Sequence, residues 1–149
     1  MNKPKVSLII LSWNARKMTQ EGLQNVALLE TKGLNVECVV VDNGSTDDTQ
    51  EKLKNYQLLN MGYKFIETRG NLGYAGGNNF GLKYSLKEKF DYTVLLNNDV
   101  ILPKDILTKL VGIAERDQKI GLLAPKMYFA EGFEFHKDRY KKEDLGKVI

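Results

Sequence analysis

The stretch that decides the fold is VECVVVDNGSTDDT, residues 36–49. It starts as a nearly continuous aliphatic run, which is typical of a strand covered on both faces of a parallel sheet. It then changes to short polar residues around Gly44, where Ser45 or Thr46 can cap a helix. The two aspartates that follow suit the positive end of that helix. The stretch therefore predicts a buried strand, a tight turn and a helix that runs to about Tyr56.

The same pattern recurs on both sides of this stretch. Four more short apolar runs are predicted strands: VSLIIL at 6–11, KFIE at 64–67, YTVLL at 92–96 and IGLLA at 120–124. Amphipathic segments between them predict helices at about 18–30, 77–89 and 103–114. This alternation implies right-handed crossovers and an open, mostly parallel α/β sheet flanked by helices. Ligands of such sheets bind beyond the carboxyl ends of the strands.

The composition is that of an ordinary globular domain. Of 149 residues, 42% are hydrophobic and 28% are charged, and the net charge of +3 is too mild to indicate nucleic-acid binding. Cys38 is the only cysteine and lies in an apolar run, so we expect it to be buried in a strand. A disulfide within the chain and a cysteine-based zinc site are excluded. No signal peptide or transmembrane segment is evident, so we expect a cytoplasmic protein.

The first two predicted strands end in residues that suit a nucleotide. Trp13 offers a flat face for a base, and Asn14 offers both a donor and an acceptor. Trp13 as a cap on the core is an alternative of equal weight. Asp42 and Asn43 can bind a base edge or ribose hydroxyls, although an ordinary turn and helix cap explains the same residues.

The third strand leads into RGNLGYAGGNNFG, residues 69–81, with five glycines and three asparagines. Glycines let the backbone approach a ligand closely, and asparagines such as Asn71 supply uncharged hydrogen-bonding groups. The loop leads into a helix N-terminus, which favours phosphate. The G-x-G-x-x-G fingerprint of dinucleotide-binding proteins is absent from the sequence, so the loop alone is a weak signal.

The fourth strand runs directly into Asn97, Asn98 and Asp99, the most informative site in the sequence. One carboxylate with neutral oxygens suits Mg²⁺ or Mn²⁺ when a substrate diphosphate supplies the remaining ligands. A polar turn before the helix that Pro103 opens is the alternative.

The chain resembles the family 2 glycosyltransferases, including their rhamnosyltransferase-like branch, in five stretches: VSLIILSWN, VVVDNGSTDDT, NLGYAGGNNFG, LLNNDVILP and IGLLAPKMY. Together they cover roughly residues 4–130. The resemblance implies the Rossmann-like GT-A fold of nucleotide-diphospho-sugar transferases. It also implies inverting transfer of a sugar from a UDP- or dTDP-linked donor to a carbohydrate or glycolipid acceptor, with Mg²⁺ or Mn²⁺ as cofactor.

The resemblance also assigns roles to residues. Trp13, Asp42 and Asn43 would line the base and ribose pocket. Asp99 would hold the metal on the donor diphosphate, where the family carries its D-x-D element. Asn97 takes the first acidic position of that element, which should lower the intrinsic metal affinity. The predicted donor-binding residues are Trp13, Asn14, Asp42, Asn43, Asn71, Gly73, Asn78, Asn79, Asn97 and Asn98, with Gly73 and an Asn78–Asn79 turn flanking the nucleotide.

The general base is the part that the sequence leaves unassigned. Family members typically supply it from a downstream E-D motif beside the acceptor. Glu143–Asp144 lies in a charged tail without the flanking pattern of that motif, so we assign no catalytic residue and expect the chain to stop before the acceptor half. We predict a donor-binding domain at 1–130 and a charged segment at 131–149. The uncovered surface would favour a homo-oligomer, and the basic residues at 137–142 would favour the inner face of the membrane.

Two other function classes remain as alternatives. The first is a non-catalytic module or pseudoenzyme that holds a nucleotide sugar; turnover, or sugar-nucleotide hydrolysis lost on Asp99→Ala, separates it from an enzyme. The second is a nicotinamide-dependent oxidoreductase. It is disfavoured because the first strand–helix turn has no glycine, and tighter binding of a dinucleotide than of a nucleoside diphosphate would revive it.

Overall fold

The structure, a computed structural model, describes residues 2–128. The chain divides into two compact units, Met1–Val111 and Gly112–Ile149. Four strands alternate with four helices: β1 (Lys5–Ser12), α1 (Arg16–Val26), β2 (Asn35–Asp42), α2 (Thr49–Leu53), β3 (Gly62–Glu67), α3 (Gly73–Lys87), β4 (Tyr92–Leu96) and α4 (Ile106–Ala114). None of these four helices is long and apolar enough to cross a membrane.

The four strands form one parallel sheet in the order β3-β2-β1-β4. The register pairs Ser12 with Asp42 and Asp42 with Glu67, so β1, β2 and β3 end at the same level. β4 ends lower, because Leu96 pairs with Ile10. The carboxyl ends of all four strands therefore share one edge of the sheet, and the predicted α/β class with a mostly parallel sheet is confirmed.

Apolar side chains cover both faces of the sheet. Even-numbered residues of β1 and β2 pack with α1, α2 and α4 in a cluster that contains Val6, Leu8, Ile10, Leu23, Val26, Val36, Cys38, Val40, Leu53, Leu107 and Val111. Odd-numbered residues pack on the opposite face, where Ile9, Val39 and Val41 meet Leu82 and Tyr84 of α3. Burial on both faces explains why β1 and β2 are continuous aliphatic runs rather than alternating ones.

Helix α3 lies unusually close to the sheet because small residues line its inner side. A Cβ on Gly77 would lie 2.4 Å from Leu11 Cδ1, and one on Gly81 would lie 2.8 Å from Ile9 Cγ2. One turn further on, Ser85 Oγ lies 2.7 Å from Ser7 Oγ of β1. The glycines of this segment therefore serve helix–sheet packing, a role the sequence analysis did not assign to them.

Several predicted boundaries change. α2 is shorter than expected, since it begins at Thr49 and ends at Leu53. α3 begins at Gly73 rather than near Gly77.

The strand predicted at 120–124 is wrong, because residues 120–128 have no regular structure. A short apolar run forms a strand only where another strand accepts its hydrogen bonds, and the sequence pattern carries no information on that partner. In this second unit the described backbone bonds are local: Arg116 N–H donates to Ile113 O, and Ile120 N–H donates to Asp117 O. The predicted segment 131–149 lies outside the described residues.

Candidate functional site

Side-chain alternation continues past the ends of β2 and β4 and sorts the polar residues there between two sides. Asp42 faces α2, where Gln50 Nε2 donates to its carboxylate, and Asn43 faces the start of α3. Asn97 and Asn98 divide in the same way, since Asn97 contacts α3 and Asn98 contacts α1. The sheet edge is thus flanked by α1 and α2 on one side and by α3 on the other.

The turn after β1 leaves Trp13 half exposed and fixes Asn14. The Trp13 side chain keeps 52% of its surface accessible, so it is not a cap on the core. Asn14 has a left-handed backbone (φ 47°), a conformation that asparagine tolerates well. Its N–H donates to Ser45 Oγ at 2.9 Å, and its Oδ1 accepts from Thr46 N–H at 2.8 Å. The turns after β1 and β2 are therefore tied together.

These contacts correct the predicted helix cap. Ser45 and Thr46 bind Asn14 instead of capping α2, which begins three residues beyond Thr46. Asp47 accepts a hydrogen bond from Thr49 N–H at 3.0 Å, as expected of a residue in an ordinary turn. Sequence propensity identified residue types that bind backbone groups but could not indicate which backbone group they would find.

Asp42 is fully buried and only half satisfied. Its Oδ2 accepts from Ser45 N–H at 3.0 Å and from Gln50 Nε2 at 2.8 Å. Its Oδ1 is one of only two buried side-chain polar atoms within residues 2–128 that have no hydrogen-bond partner, and Thr49 Oγ1 is the other. A buried acceptor without a donor costs free energy, and such atoms in native proteins call for an explanation such as a ligand.

Asn43 is buried, and its amide is fully used inside the protein. Its Nδ2 donates to Asn71 Oδ1 at 3.0 Å and to Gly73 O at 3.1 Å. Its Oδ1 accepts from Leu72 N–H at 3.0 Å and from Thr68 Oγ1 at 3.4 Å. Asn43 therefore ties the end of β2 to the segment that starts α3, and no donor or acceptor remains for a ligand.

Glycine is required where the turns after β2 and β3 meet. Gly44 has φ +75°, and a Cβ there would lie 2.5 Å from Gly70 Cα. The two backbones are thus in direct contact, and any side chain at Gly44 would push them apart. Close backbone approach was predicted for this region, but here the approaching partner is the chain itself.

The predicted turn at Asn78–Asn79 is wrong, because both residues lie inside α3. Asn78 is buried, and its Nδ2 donates to Tyr74 O one turn earlier at 2.9 Å. Asn79 is exposed on the helix. The many glycines disguised a helix as a loop: their low helix propensity is outweighed here by packing against the sheet.

The turn after β4 is held from both sides. Tyr74 OH of α3 donates to Asn97 Oδ1 at 3.2 Å. On the other side, Asn98 Nδ2 donates to Thr19 Oγ1 of α1 at 3.1 Å, and Thr19 Oγ1 lies 2.8 Å from Ser12 Oγ. Gly22 of α1 permits this approach, since a Cβ there would lie 2.7 Å from the Asn98 carbonyl oxygen. Asp99 is left exposed beside these two anchored amides.

Thr19 and Tyr74 are therefore site residues that the sequence analysis missed. Thr19 is fully buried and sits midway between the ends of β1 and β4. A threonine in a helix has many ordinary roles, so nothing in the sequence marks it. Tyr74 lay within the glycine-rich stretch, where the aromatic residue was a visible but unused signal.

The metal-ligand set at this turn is small. Within residues 2–128, no three His, Cys, Asp or Glu side chains come together closely enough to hold a metal ion. Asp99 with neutral amide oxygens nearby fits a hard divalent cation that receives its remaining ligands from a bound diphosphate. The residues thus fit a cation that arrives with a nucleotide, and they do not form a metal site of their own.

A parallel α/β sheet with an aromatic ring, a buried carboxylate and an exposed aspartate at its carboxyl edge defines a nucleotide-binding class of protein. The chain matches the sequence profile of glycosyl transferase family 2 over residues 7–147 and therefore belongs to that family. The low-salt glycan biosynthesis hexosyltransferase Agl10 of Haloferax volcanii is 33% identical over 114 residues, which cover 76% of this chain and 35% of that protein. The chain spans between 35% and 42% of the length of the curated relatives it matches.

Solved structures share the fold. Residues 1–349 of TarS from S. aureus in complex with UDP-GlcNAc superpose with a TM-score of 0.63 at 24% identity, over 75% of this chain and 31% of that one. The mannosyltransferase PcManGT from Pyrobaculum calidifontis, in complex with GDP-Man and Mn²⁺, superposes with a TM-score of 0.65 at 23% identity, over 76% of this chain and 33% of that one. The predicted GT-A architecture is confirmed.

Proposed function

We propose that this chain is the donor-binding part of a metal-dependent glycosyltransferase that takes a nucleoside-diphosphate sugar, UDP- or dTDP-linked. One juxtaposition carries the proposal: half-exposed Trp13, buried Asp42 with an unpaired oxygen, and exposed Asp99 follow three strands that end at one sheet edge. The TarS and PcManGT complexes contain a nucleotide sugar, and the PcManGT complex also contains Mn²⁺. They support the ligand class without distinguishing the base.

The base and ribose would bind on the side of α1 and α2. The exposed face of Trp13 suits stacking against a base. The unpaired Oδ1 of Asp42 is an acceptor that suits an N–H of a pyrimidine or a ribose hydroxyl. Because the amides of Asn14 and Asn43 are engaged with neighbouring turns, we assign both residues a positioning role rather than direct contact. Asn71 and Gly73 act with Asn43 in that role.

The diphosphate would bind near the turn after β4, where Asp99 would hold Mg²⁺ or Mn²⁺. A divalent cation bound there would neutralise charge that builds on the leaving nucleoside diphosphate. Asn98 positions the turn through Thr19. Asn78 supports the first turn of α3, and exposed Asn79 lies on the same helix.

The reaction is an inverting substitution. An acceptor hydroxyl oxygen forms a bond to the anomeric carbon while the bond from that carbon to the diphosphate oxygen breaks. The bonding electron pair leaves with the nucleoside diphosphate, and a general base takes the hydroxyl proton. That base is expected outside the described residues. The acceptor, cytoplasmic location, contact with the inner membrane face and self-association stay predictions.

Calorimetric titration tests the proposal. UDP, dTDP and GDP are titrated with and without Mn²⁺ into the wild type, into Asp99→Asn and into Asp91→Asn. Asp91 is a matched control, because it precedes β4 at the opposite sheet edge and its Oδ2 accepts from Lys5 N–H, a bond that asparagine can keep. We expect Mn²⁺-enhanced binding that only the Asp99 variant loses. No binding of any nucleotide by the wild type would refute the proposal.

A turnover assay then separates an enzyme from a binding module. UDP-GlcNAc and GDP-mannose are incubated with the protein and Mn²⁺, and release of nucleoside diphosphate is measured. Release that disappears in Asp99→Asn supports a transferase. Metal-dependent binding without release would favour the non-catalytic module.

A further inference from the structure

Asn97 differs from its neighbours in the turn after β4 because its carbonyl oxygen is already engaged. Tyr74 OH donates to Asn97 Oδ1 at 3.2 Å across 23 residues of sequence. Tyr74 is the second residue of α3, so this bond joins the start of a helix to the end of the edge strand β4. Oδ1 is the only atom of this side chain that could ligate a cation.

The bond decides which group Asn97 presents. With Oδ1 turned to the phenol, the amide NH₂ lies on the other branch of the side chain and carries two hydrogens. A metal ion is repelled by such a group, whereas an anionic oxygen accepts from it. Asn97 is exposed, so its NH₂ is accessible to a ligand at the sheet edge.

The surrounding charges favour the same direction. Asp99 is the only carboxylate in the turn, and the first turn of α3 carries no acidic residue. A nucleoside diphosphate brings negative charge that must be balanced, and one aspartate with one divalent cation leaves room for neutral donors. A hydrogen bond to a charged oxygen is stronger than one between neutral groups.

We propose that Asn97 is a hydrogen-bond donor to the diphosphate of the donor substrate, and that Tyr74 is the positioning residue that orients its amide. This inference rests on the proposed function and deepens it. At the first position of its D-x-D-like element, the chain replaces a metal ligand with a phosphate ligand, so cation binding falls to Asp99 alone.

A double comparison tests the inference. UDP affinity, or that of dTDP or GDP if the wild type prefers it, is measured at saturating Mn²⁺ and in EDTA for Asn97→Ala, Tyr74→Phe and Asp99→Asn. Asn97→Ala should weaken binding roughly tenfold under both conditions, the loss expected for one hydrogen bond to a charged group. Tyr74→Phe should weaken it roughly threefold under both, as for a neutral hydrogen bond. Asp99→Asn should abolish the gain that Mn²⁺ provides.

Asn97→Asp supplies a test of opposite sign. It recreates the acidic residue that the family carries, so a metal-ligand role for Asn97 requires tighter UDP binding at saturating Mn²⁺. A donor role requires weaker binding, because a carboxylate would face the phosphate. Tighter binding, or an Asn97→Ala effect confined to the Mn²⁺ condition, would overturn the inference.

Matched controls isolate the two groups. Tyr84→Phe removes a phenol from the same helix whose partner, Glu37 Oε1, is 2.8 Å away and outside the site. Asn35→Asp adds a charge at the exposed start of β2. Both should leave UDP affinity unchanged. Tyr74 is 65% exposed, so its phenylalanine variant should fold like the wild type. A wild type that binds no nucleotide would overturn both this inference and the proposed function, whereas altered signs among variants of a binding wild type would overturn this inference alone.

Discussion

At the end of β2, the buried amide of Asn43 makes four hydrogen bonds, whereas at the end of β4 Asp99 lies exposed between two anchored asparagines. Both ends follow the same plan, in which successive polar side chains go to opposite faces of the sheet. They differ in their neighbours. β2 lies between β1 and β3, while β4 pairs with β1 alone within residues 2–128.

The difference separates architecture from binding. Interior strand ends are surrounded by other turns, so their polar groups are consumed in fixing those turns. An edge strand end has fewer neighbours, so its carboxylate remains available. Residues that look equivalent in sequence, Asn43 and Asp99, therefore have opposite sensitivities: substitution of the first should change the free energy of unfolding, and substitution of the second should change ligand affinity.

The largest expected effect is that of Asn43→Ala. It leaves the N–H of Leu72 and the carbonyl of Gly73 without partners, so we expect a loss of about 3 kcal/mol in the free energy of unfolding. Urea denaturation measures it. Exposed Asn79→Ala is the control and should stay within about 0.5 kcal/mol of the wild type. Equal effects for the two variants would break the comparison.

Thr19→Val comes next, since Thr19 links the two regions that the comparison separates. Valine keeps the shape of the side chain but leaves Asn98 Nδ2 and Ser12 Oγ unpaired. We expect a loss of about 2 kcal/mol in unfolding free energy, together with a smaller Mn²⁺-dependent gain in UDP affinity. Thr19→Ser retains the hydroxyl and should keep that gain. If serine loses it as well, the hydroxyl is not what positions the turn.

Asp42→Asn should affect stability less and recognition more. The amide oxygen can still accept from Ser45 N–H and Gln50 Nε2, so we expect a change of about 1 kcal/mol or less. The unpaired acceptor becomes a donor, so nucleotide affinity should fall with and without Mn²⁺. A stability loss above about 3 kcal/mol with unchanged affinity would assign Asp42 to the architecture instead.

The smallest effect on stability is expected for Asp99→Asn. The side chain is exposed, so its unfolding free energy should stay within about 0.5 kcal/mol of the wild type. Thiol labelling gives a second readout for all four variants. Burial raises the pKa of Cys38 to about 12, so this thiol reacts only when the sheet opens. Faster labelling in Asp99→Asn would contradict the expected independence of fold and cation binding.

The sequence predicted the α/β class, four strands and the helix of each crossover because hydrophobic periodicity records burial directly. It predicted the carboxyl edge as the site for the same reason. It did not predict that Asn43 would spend its amide on α3, or that Asn78 and Asn79 would be helical. Those outcomes depend on which backbone groups meet in space, and the packing of Gly77 and Gly81 against β1 decides them.

The roles of Thr19 and Tyr74 lay beyond sequence reasoning altogether. Each acts through one hydroxyl on a residue far away in the chain, Thr19 on Asn98 and Tyr74 on Asn97. No spacing rule connects such pairs. By contrast, Asp99 could be identified because it directly follows a strand.

The attachment of β4 through β1 alone has a consequence for the order of folding. Asp91 N–H donates to Lys5 O, 86 residues away in sequence. The first β1–β2 pair, Lys5 with Asn35, closes a loop of only 30 residues (35 − 5). Longer loops cost more chain entropy to close, and contacts between distant residues slow folding. As the chain emerges from the ribosome, β1 and β2 can pair long before β4 exists. We therefore expect the half of the molecule that holds Trp13 and Asp42 to form first and the strand that carries Asp99 to join last.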